Sequence, residues 1–282
     1  SPATADFRLR LPVAPTNDEL SQLGSAFNRL LDQLQQAFER QQRFTGDAAH
    51  QLRTPLTVLM GELDVTLRRP RSPEEYVRTM TLLREQTSEL QQLVESLLFL
   101  ARAEHDAVPP DLRMLDLHSW LPARLDRWRS HPRGADVQFD AALGDRAPLV
   151  VRASPELLGQ IIDNLVGNAL KYSPAGTPVV VSARREEAAN RSQAVIAVLD
   201  EGQGVAEADR EAIFEPFIRT ESARRSGAPG AGLGLAVAAR IAAALHGRLR
   251  CEGREGPGSR FVLTLPLHHA TANGLPSAIT SA

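Results

Sequence analysis

Asn164-Leu-Val-Gly-Asn168-Ala-Leu-Lys171-Tyr172 is a predicted helical stretch with one apolar and one polar face. Asn164, Asn168 and Lys171 stand at i, i+4 and i+7, so they share one face of the helix. Two amide oxygens can ligate Mg²⁺, the ammonium can meet a phosphate, and the Tyr172 ring can lie beside a base. The alternative interpretation is a polar helix face on a solvated surface. The apolar residues that bury the opposite side are Ile161, Ile162, Leu165 and Leu170.

Lys171 is the single lysine among 32 basic residues. Arginine carries every other positive side-chain charge, so an ammonium at this one position indicates a specific requirement. The alternative is arginine-rich codon usage with one chance lysine. The two amides on the same helix face favour a requirement for phosphate binding.

Length and composition exclude several classes of protein. The 282 residues have room for about two domains, and 43% hydrophobic with 23% charged residues can fill a core. A net charge of −2 does not favour a broad nucleic-acid surface. The single cysteine, Cys251, excludes an internal disulfide and a thiolate metal cluster. We expect neither a membrane helix, since no stretch approaches ~18 apolar residues, nor a signal peptide.

A long amphipathic helix is predicted after a lead-in of residues 1–15. It begins with a capping box, Thr16 to Glu19, whose hydroxyl and carboxylate can satisfy exposed backbone amides. Apolar residues then recur at steps of three and four. They are Leu20, Leu23, Phe27, Leu30, Leu34, Phe38, Phe44, Ala48, Leu52, Leu56, Leu59, Leu63 and Leu67. So narrow an apolar seam on so long a helix is typical of packing against partner helices.

A second helix is predicted beyond a break at residues 68–72. Ser72, Pro73 and Glu75 form a capping signature with proline at the first helical position, and the pattern ends near Ala103. Two such helices joined by a short turn form an all-α hairpin, which leaves its seam half covered. Two copies that form a four-helix bundle cover the seam, so the sequence predicts a homodimer.

His50 lies on the first helix, in Phe44-Thr-Gly-Asp-Ala-Ala-His50-Gln51-Leu-Arg-Thr54-Pro55-Leu56. The seam residues Ala48 and Leu52 flank it by two positions, which is about 200° of rotation and predicts an imidazole that faces water. Thr54 shares its face. A neutral imidazole has one unprotonated nitrogen that can act as a nucleophile. An ordinary surface histidine is the alternative.

The chain changes character after a predicted linker at residues 107–111. Helical and strand patterns alternate over residues 112–267, which predicts an α+β two-layer sandwich with strands of antiparallel type. Helices are predicted for residues 121–128, 155–172 and 233–245, and strands for residues 137–139, 149–151, 179–182, 194–199 and 260–265. The tail of residues 268–282 is small and polar, and we expect it to be disordered.

Three further pieces of this half suit a nucleotide. Asp200-Glu-Gly202-Gln-Gly204 offers a carboxylate to an exocyclic amine and glycines to a flat ligand, although Asp and Gly also make turns. Ile213-Phe214-Glu-Pro216-Phe217 is an aromatic clamp or part of the core. Gly230-Ala-Gly232-Leu-Gly234-Leu235 opens a helix, whose free amides and dipole suit phosphate.

Other nucleotide-binding classes fit poorly. A Rossmann motif needs a strand before its glycines, whereas residues 219–229 form a polar loop. The chain has neither the His-Arg-Asp nor the Asp-Phe-Gly motif of serine/threonine kinases. A Walker A loop is also missing, because Leu170 precedes the only lysine.

Residues 44–56 resemble the phosphoacceptor box of two-component sensor histidine kinases. The resemblance implies that His50 accepts the γ-phosphoryl group of ATP and passes it to an aspartate of a response regulator. It also implies that Thr54 orients water when the regulator is dephosphorylated. The residue after the histidine is usually acidic in the family, but here it is Gln51, which cannot hold a proton at neutral pH. This departure bears on the rate of autophosphorylation and not on whether it occurs, since Asp47 or solvent can accept the imidazole proton instead.

The four pieces of the C-terminal half resemble, in order, the N, G1, F and G2 boxes of the GHKL (Bergerat) ATP-binding fold. The resemblance implies Mg²⁺ and triphosphate at Asn164 and Asn168, phosphate at Lys171, adenine beside Tyr172, and the adenine amine on Asp200. It implies a mobile lid over residues 204–230. The ATP-binding residues it implies are Asn164, Asn168, Lys171, Tyr172, Asp200, Gly202, Gly204, Phe217, Arg219, Arg224, Gly230, Gly232 and Gly234. Gyrase-type ATPases have a catalytic glutamate at the position of Asn164, so asparagine favours transfer over hydrolysis.

The resemblance extends to the N-terminal helix and defines the predicted domains. Residues 16–43 resemble the second half of a HAMP signal-relay module, with Ser21 where glycine is common after Asp18-Glu19-Leu20. The predicted domains are a lead-in (1–15), a partial HAMP or signal helix (16–43), a dimerisation and histidine phosphotransfer domain (44–106), a linker (107–111), a catalytic ATP-binding domain (112–267) and a tail (268–282).

The resemblance implies a homodimeric sensor histidine kinase, the cytoplasmic portion of a bacterial inner-membrane sensor. Its implied partners are a response-regulator receiver domain and a second copy, with no nucleic acid and with membrane contact only through segments absent from this chain. Three alternatives stay open: a plain ATPase, a non-catalytic dimeric scaffold, and a kinase that acts mainly as a phosphatase.

Overall fold

The computed structural model describes residues 9–13, 19–102, 111–140, 148–188, 191–228, 230–254 and 256–268. The helices are α1 (Glu19–Leu67), α2 (Pro73–Arg102), α3 (Leu117–Leu125), α4 (Pro155–Tyr172), α5 (Glu221–Arg225) and α6 (Gly234–Ala244). The strands are β1 (Arg113–Asp116), β2 (Val137–Asp140), β3 (Val150–Ala153), β4 (Val179–Ala188), β5 (Arg191–Leu199), β6 (Arg248–Glu252) and β7 (Arg260–Pro266). Outside the described residues lie Thr16 of the predicted capping box, the predicted helix end at Ala103, the linker up to Pro110, and the tail after His268.

The predicted long first helix is confirmed as a single element of 49 residues that continues past Pro55. Most of the large apolar residues of its seam are exposed on the single chain, and those in its middle, such as Leu52, are partly buried. Leu20 and Leu67, near its two ends, are 79% and 78% exposed. Contact of large apolar side chains with water is unfavourable in free energy, so this face is expected to pack against a partner surface.

The hairpin turn follows the predicted capping chemistry. The backbone N–H of Glu75 donates to Oγ of Ser72 at 3.3 Å, and the N–H of Ser72 donates to Oε2 of Glu75 at 3.0 Å. Pro73 is the first residue of α2, as predicted. The two reciprocal bonds satisfy amides that the first turn of a helix leaves unpaired, so the boundary is fixed locally.

The C-terminal half contains a five-stranded sheet in the order β2-β4-β5-β7-β6 and a small two-stranded sheet of β1 and β3. All strand pairs are antiparallel except β2 with β4, which are parallel. The expectation of antiparallel-type strands was therefore incomplete. The chain returns from β2 to β4 through α4, and such a crossover connection makes the two strands parallel.

The predicted two-layer arrangement is confirmed. Helices α4 and α6 pack together and against the sheet, and their apolar residues join the inward side chains of the strands in one core. Ile161, Leu165, Ile196 and Leu263 are fully buried members of this core. The polar face of α4 is left on the side away from the core, where it can form a site.

The chain divides into two compact units, Ser1–Gln91 and Gln92–Ala282. The division lies inside α2, and within the second unit Phe99 and Leu100 pack against the core. Among the described helices, none combines the length and the apolar character needed to cross a bilayer.

Candidate functional site

Helix α4 presents the predicted polar face. Ser154 caps its N-terminus, where Oγ accepts from the Leu157 amide at 3.4 Å, and Pro155 occupies the first turn. Asn164, Asn168 and Lys171 are all partly exposed, whereas the residues between them on the other face are buried. The spacing of the amides and the ammonium along one face is as the sequence predicted.

The glycines before α6 meet that face at two points. A Cβ at Gly234 would lie 2.8 Å from Oδ1 of Asn164, and one at Gly230 would lie 2.6 Å from Nζ of Lys171. At both points a Cβ would displace the end of an α4 side chain, so the glycines leave room for the Asn164 amide and the Lys171 ammonium beside the start of α6. Leu233, the N-cap of α6, provides no side-chain cap, which leaves the first amides of the helix for an anion.

The Phe217 segment is hydrogen-bonded to the glycine segment that precedes α6. The Phe217 backbone N–H donates to the Gly232 carbonyl at 3.0 Å. Gly232 has φ +75°, and a Cβ there would lie 2.9 Å from the Ile218 carbonyl oxygen. Phe217 itself has φ +65°, a conformation that is uncommon for a bulky residue. The third and fourth predicted pieces therefore form one connected structure.

Asp200 is held by backbone groups in a buried position, with 3% of its surface exposed. Its Oδ1 accepts from the Gly202 amide at 2.8 Å and from the Ser259 amide at 3.1 Å. Burial raises the pKa of the Asp200 carboxyl above its ordinary value, while these amide bonds oppose that rise. Oδ1 takes both backbone bonds, and the Ser259 side chain also bonds the carboxyl group.

The turn between β6 and β7 completes the Asp200 site, and sequence reasoning missed it. The Asp200 amide donates to the Ser259 carbonyl at 3.1 Å, and Arg254 donates to the Asp200 carbonyl. A Cβ at Gly258 would lie 1.8 Å from that carbonyl oxygen. Gly-Pro-Gly-Ser at residues 256–259 signals a tight turn, but nothing local indicates that its partner lies at Asp200.

Tyr172 and the Asp200 loop meet at the end of α4. A Cβ at Gly202 would lie 2.5 Å from the Tyr172 carbonyl oxygen. Gly204 has φ +73° and lies against the Gly258 carbonyl, where a Cβ would approach to 3.1 Å. Nζ of Lys171 lies 5.1 Å from the centroid of the Tyr172 ring, a cation–π contact. The first and second predicted pieces therefore share this corner.

The two predicted phosphate-contacting arginines bond the lid segment itself. Nη2 of Arg219 donates to the Ala223 carbonyl at 2.8 Å and to the Ala228 carbonyl at 2.6 Å. Nε of Arg224 donates to the Arg219 carbonyl at 3.1 Å. Thr220 caps α5 between them. In this structure both guanidinium groups bond carbonyls of residues 219–228, and their role toward phosphate stays a prediction, as does the lid.

His50, in the N-terminal unit, is exposed on α1, as its position relative to the seam predicted. The seam residues Ala48 and Leu52 are partly buried. Oγ1 of Thr54 donates to the His50 carbonyl at 3.2 Å, so that hydroxyl points back along the face that carries the imidazole. Gln51 is partly buried beside it. The imidazole is thus open to solvent within the single chain.

The fold and the two sites define a class: a helical hairpin with an exposed histidine, joined to a nucleotide-binding α+β sandwich. Family models match both parts. The histidine kinase-, DNA gyrase B- and HSP90-like ATPase model matches residues 153–269, the His Kinase A (phospho-acceptor) domain model residues 40–106, and the HAMP domain model residues 3–36. The chain belongs to the two-component sensor histidine kinases.

Individual relatives agree with this assignment. Sensor protein CutS of Streptomyces coelicolor is 34% identical over 265 residues, which are 94% of this chain and 62% of CutS. Sensor histidine kinase CusS of Escherichia coli K12 is 30% identical over 263 residues, 93% of this chain and 53% of CusS. The chain therefore spans little more than half the length of these relatives.

Full-length ShkA, solved in complex with AMPPNP, is similar in structure, with a TM-score of 0.55 and 28% identity. The match covers 80% of this chain and 46% of ShkA.

Proposed function

We propose that the chain is the kinase core of a sensor histidine kinase, which binds ATP with Mg²⁺ and autophosphorylates His50. The observation that carries the proposal is the approach of Asn164 and Lys171 to the glycines that open α6. An amide oxygen, an ammonium and uncapped helix amides then converge on one place, which suits a polyphosphate. Asp200, buried beside the end of α4, suits the exocyclic amine of adenine.

The residues at this place fit a magnesium ion that is shared with the substrate. No group of three or more His, Cys, Asp and Glu side chains that could hold a metal occurs among the described residues. The available protein ligands are the amide oxygens of Asn164 and Asn168, and Mg²⁺ is commonly bound by few protein oxygens plus substrate phosphates. When bound there, the ion would neutralise negative charge on the phosphates.

Gly234→Ala is expected to raise the Kd for Mg²⁺·ATP by about tenfold. The new methyl would lie 2.8 Å from Oδ1 of Asn164 and would push that amide out of place. The helix itself should tolerate alanine, which is a better helix former than glycine. Isothermal titration calorimetry with and without Mg²⁺ measures the effect.

The matched control is Gly167→Ala, in the same helix as Asn164. A Cβ at Gly167 has only an ordinary contact, 3.5 Å from the Trp128 ring. This variant should bind Mg²⁺·ATP like the wild-type protein. If Gly234→Ala binds Mg²⁺·ATP with the wild-type affinity, Asn164 is not a ligand of the metal ion.

The proposed transfer needs few catalytic groups. The unprotonated ring nitrogen of His50 attacks the γ-phosphorus, the bond from phosphorus to the β–γ bridging oxygen breaks, and ADP leaves with that electron pair. The phosphorylated ring then loses the proton of its other nitrogen to solvent or Asp47. Positioning and charge neutralisation supply most of the rate in such reactions. In the second step a regulator aspartate oxygen attacks the phosphorus, and the phosphorus–nitrogen bond breaks.

Gln51→Glu is expected to speed autophosphorylation by about tenfold or more, because a carboxylate beside the ring can accept its proton and an amide cannot. The rate is measured from the appearance of phosphoprotein at saturating ATP. Gln51→Ala serves as control for the loss of the native amide. If the glutamate variant is no faster than the wild-type protein, proton acceptance at position 51 does not limit the reaction.

The exposed seam of α1 supports the proposal of a homodimer. Most of the large apolar residues between Leu20 and Leu67 are exposed on the single chain, and a second hairpin would bury them in a four-helix bundle. The names of the relatives, a sensor protein and a sensor histidine kinase, support a role in signal sensing. A membrane anchor and a response-regulator partner stay predictions from the family resemblance.

Incubation with γ-labelled ATP and Mg²⁺ tests the proposed function. A kinase retains the label on protein as an acid-labile, base-stable phosphohistidine. A plain ATPase would release all label as inorganic phosphate, and a scaffold would bind no nucleotide. Asn164, which cannot activate water as a glutamate can, favours transfer to protein over hydrolysis.

A further inference from the structure

Arg133 lies in the turn before β2 and bonds to the end of α4. Its Nη1 donates to the Leu170 carbonyl and, at 2.8 Å, to the Ser173 carbonyl. Its Nη2 donates to the Pro174 carbonyl at 2.7 Å and to Oγ of Ser173 at 3.4 Å. One guanidinium group therefore binds four oxygens that surround the C-terminus of the helix.

These oxygens include a group that the helix cannot satisfy itself. The last four carbonyls of an α-helix have no intrahelical partner. Ser173 satisfies the Ala169 carbonyl with its amide at 3.1 Å and its hydroxyl at 2.6 Å. Arg133 takes the next one, that of the buried Leu170, and a cation at a helix C-terminus is favoured by the helix dipole.

The guanidinium group is itself held in place. Nε of Arg133 donates to Oδ2 of Asp136 at 2.8 Å, and the same oxygen accepts from the Gly176 amide at 3.1 Å. The bond from Arg133, followed by that from Gly176, lowers the pKa of the Asp136 carboxyl. The side chains of the pair are only 20% and 14% exposed. The contact is therefore a fixed part of the turn.

The backbone beside Arg133 is equally constrained. A Cβ at Gly134 would lie 2.2 Å from the Trp128 carbonyl oxygen, so only glycine allows the turn to close there. The Arg133 amide donates to Nδ1 of His131 at 3.1 Å. The contacts of the turn itself therefore place the guanidinium group against the end of α4.

The end of α4 is also a corner of the proposed nucleotide site. Lys171 and Tyr172 lie directly after Leu170, and the Tyr172 carbonyl abuts Gly202 of the Asp200 loop. A shift of residues 170–174 would move the ammonium and the aromatic ring, and would change the spacing between α4 and Asp200. The hydrogen bonds of the Arg133 side chain go to the end of α4 and to Asp136, so its effect on the site is argued through the helix end.

We propose that Arg133 is a positioning residue for nucleotide recognition, which fixes the end of α4 so that Lys171, Tyr172 and the Asp200 loop fit one adenine nucleotide. This inference rests on the proposed ATP-binding function. It assigns to Arg133 an effect on selectivity for the base and not only on folding. Guanine has a carbonyl oxygen where adenine has its exocyclic amine, so a correctly placed Asp200 carboxylate selects ATP over GTP.

The test is the ratio of the Kd for Mg²⁺·GTP to that for Mg²⁺·ATP, measured by calorimetry on the whole chain. In Arg133→Ala this ratio should fall about tenfold, because the corner loses its fixed spacing. Arg133→Lys keeps a cation but cannot bond all four oxygens, and should restore part of the ratio. Partial unfolding of a variant weakens the apparent affinity for both nucleotides by the same factor. The ratio of the two Kd values is then unchanged, so unfolding alone does not produce the expected effect.

Arg184→Ala is the matched control, since Arg184 forms a half-exposed ion pair with Glu186 on β4. It should keep the wild-type ratio. If Arg133→Ala keeps that ratio as well, Arg133 only stabilises the fold and the inference is wrong. If the wild-type protein shows no preference for ATP, the proposed nucleotide site fails, and the inference fails with it.

Discussion

In His50→Ala, incorporation of label from γ-labelled ATP into protein is expected to fall by at least about a hundredfold. Alanine removes the ring nitrogen that attacks phosphorus, and no neighbouring side chain replaces it, because the Thr54 hydroxyl and the Gln51 amide are far weaker nucleophiles. The variant should fold normally, since His50 is exposed on α1. Binding of Mg²⁺·ATP should be unchanged, because the residues of the proposed nucleotide site belong to the other unit.

Thr57→Ala provides a control on the same helix face. Oγ1 of Thr57 donates to the Arg53 carbonyl at 2.9 Å, a bond of the same kind as that of Thr54. The variant should incorporate label at the wild-type rate. Label that survives on His50→Ala would assign the phosphoacceptor to another residue. ATP hydrolysis at the same rate in His50→Ala and in the wild-type protein, with no labelled protein in either, would favour the plain ATPase.

Local patterns carried most of the fold prediction. The apolar period of three and four predicted α1, and the Ser72–Glu75 capping box predicted the start of α2, because both signals act within one or two helical turns. The polar face of α4 was predictable for the same reason. Strand β1 was not predicted, since four half-exposed residues before a helix carry no clear alternation.

Contacts between distant segments could not be predicted. The approach of Gly258 to Asp200 and of Arg133 to Leu170 depends on how the sheet and helices pack, and neither residue has a local signature. Arg219 shows the same limit in another way. The family resemblance implies a phosphate contact for Arg219, which stays a prediction, whereas its bonds to two carbonyls of its own segment had no signal in the sequence.

The glycines of the site show how the two kinds of information combine. The sequence indicated glycine-rich pieces, and the general reason is that glycine permits close approach. Only the structure identifies what each one approaches: Asn164 at Gly234, Lys171 at Gly230, and the Tyr172 carbonyl at Gly202. In the proposed nucleotide site the absence of a side chain at each glycine permits the contact, and adding one methyl group tests each contact separately.

Gly258→Ala is expected to have the largest effect on nucleotide binding among such substitutions. Its φ of +108° is strained for an L-residue, at a cost of about 1–3 kcal/mol. In addition, the methyl would lie 1.8 Å from the Asp200 carbonyl oxygen, so the turn must move away. Asp200 would then lose the Ser259 amide bond to its carboxylate. We expect the Kd for Mg²⁺·ATP to rise about thirtyfold or more, measured by calorimetry at a temperature where the variant is folded.

Gly256→Ala separates the clash from the backbone strain. Gly256 lies in the same turn with φ +96°, but a Cβ there meets nothing within 4 Å. Its alanine variant should therefore lose thermal stability through strain alone and bind Mg²⁺·ATP within about twofold of the wild-type affinity. If both variants lose affinity equally, strain in the turn is sufficient and the contact with Asp200 is incidental. A loss confined to Gly258→Ala would mean that the β6–β7 turn holds the carboxylate in the position from which it recognises adenine.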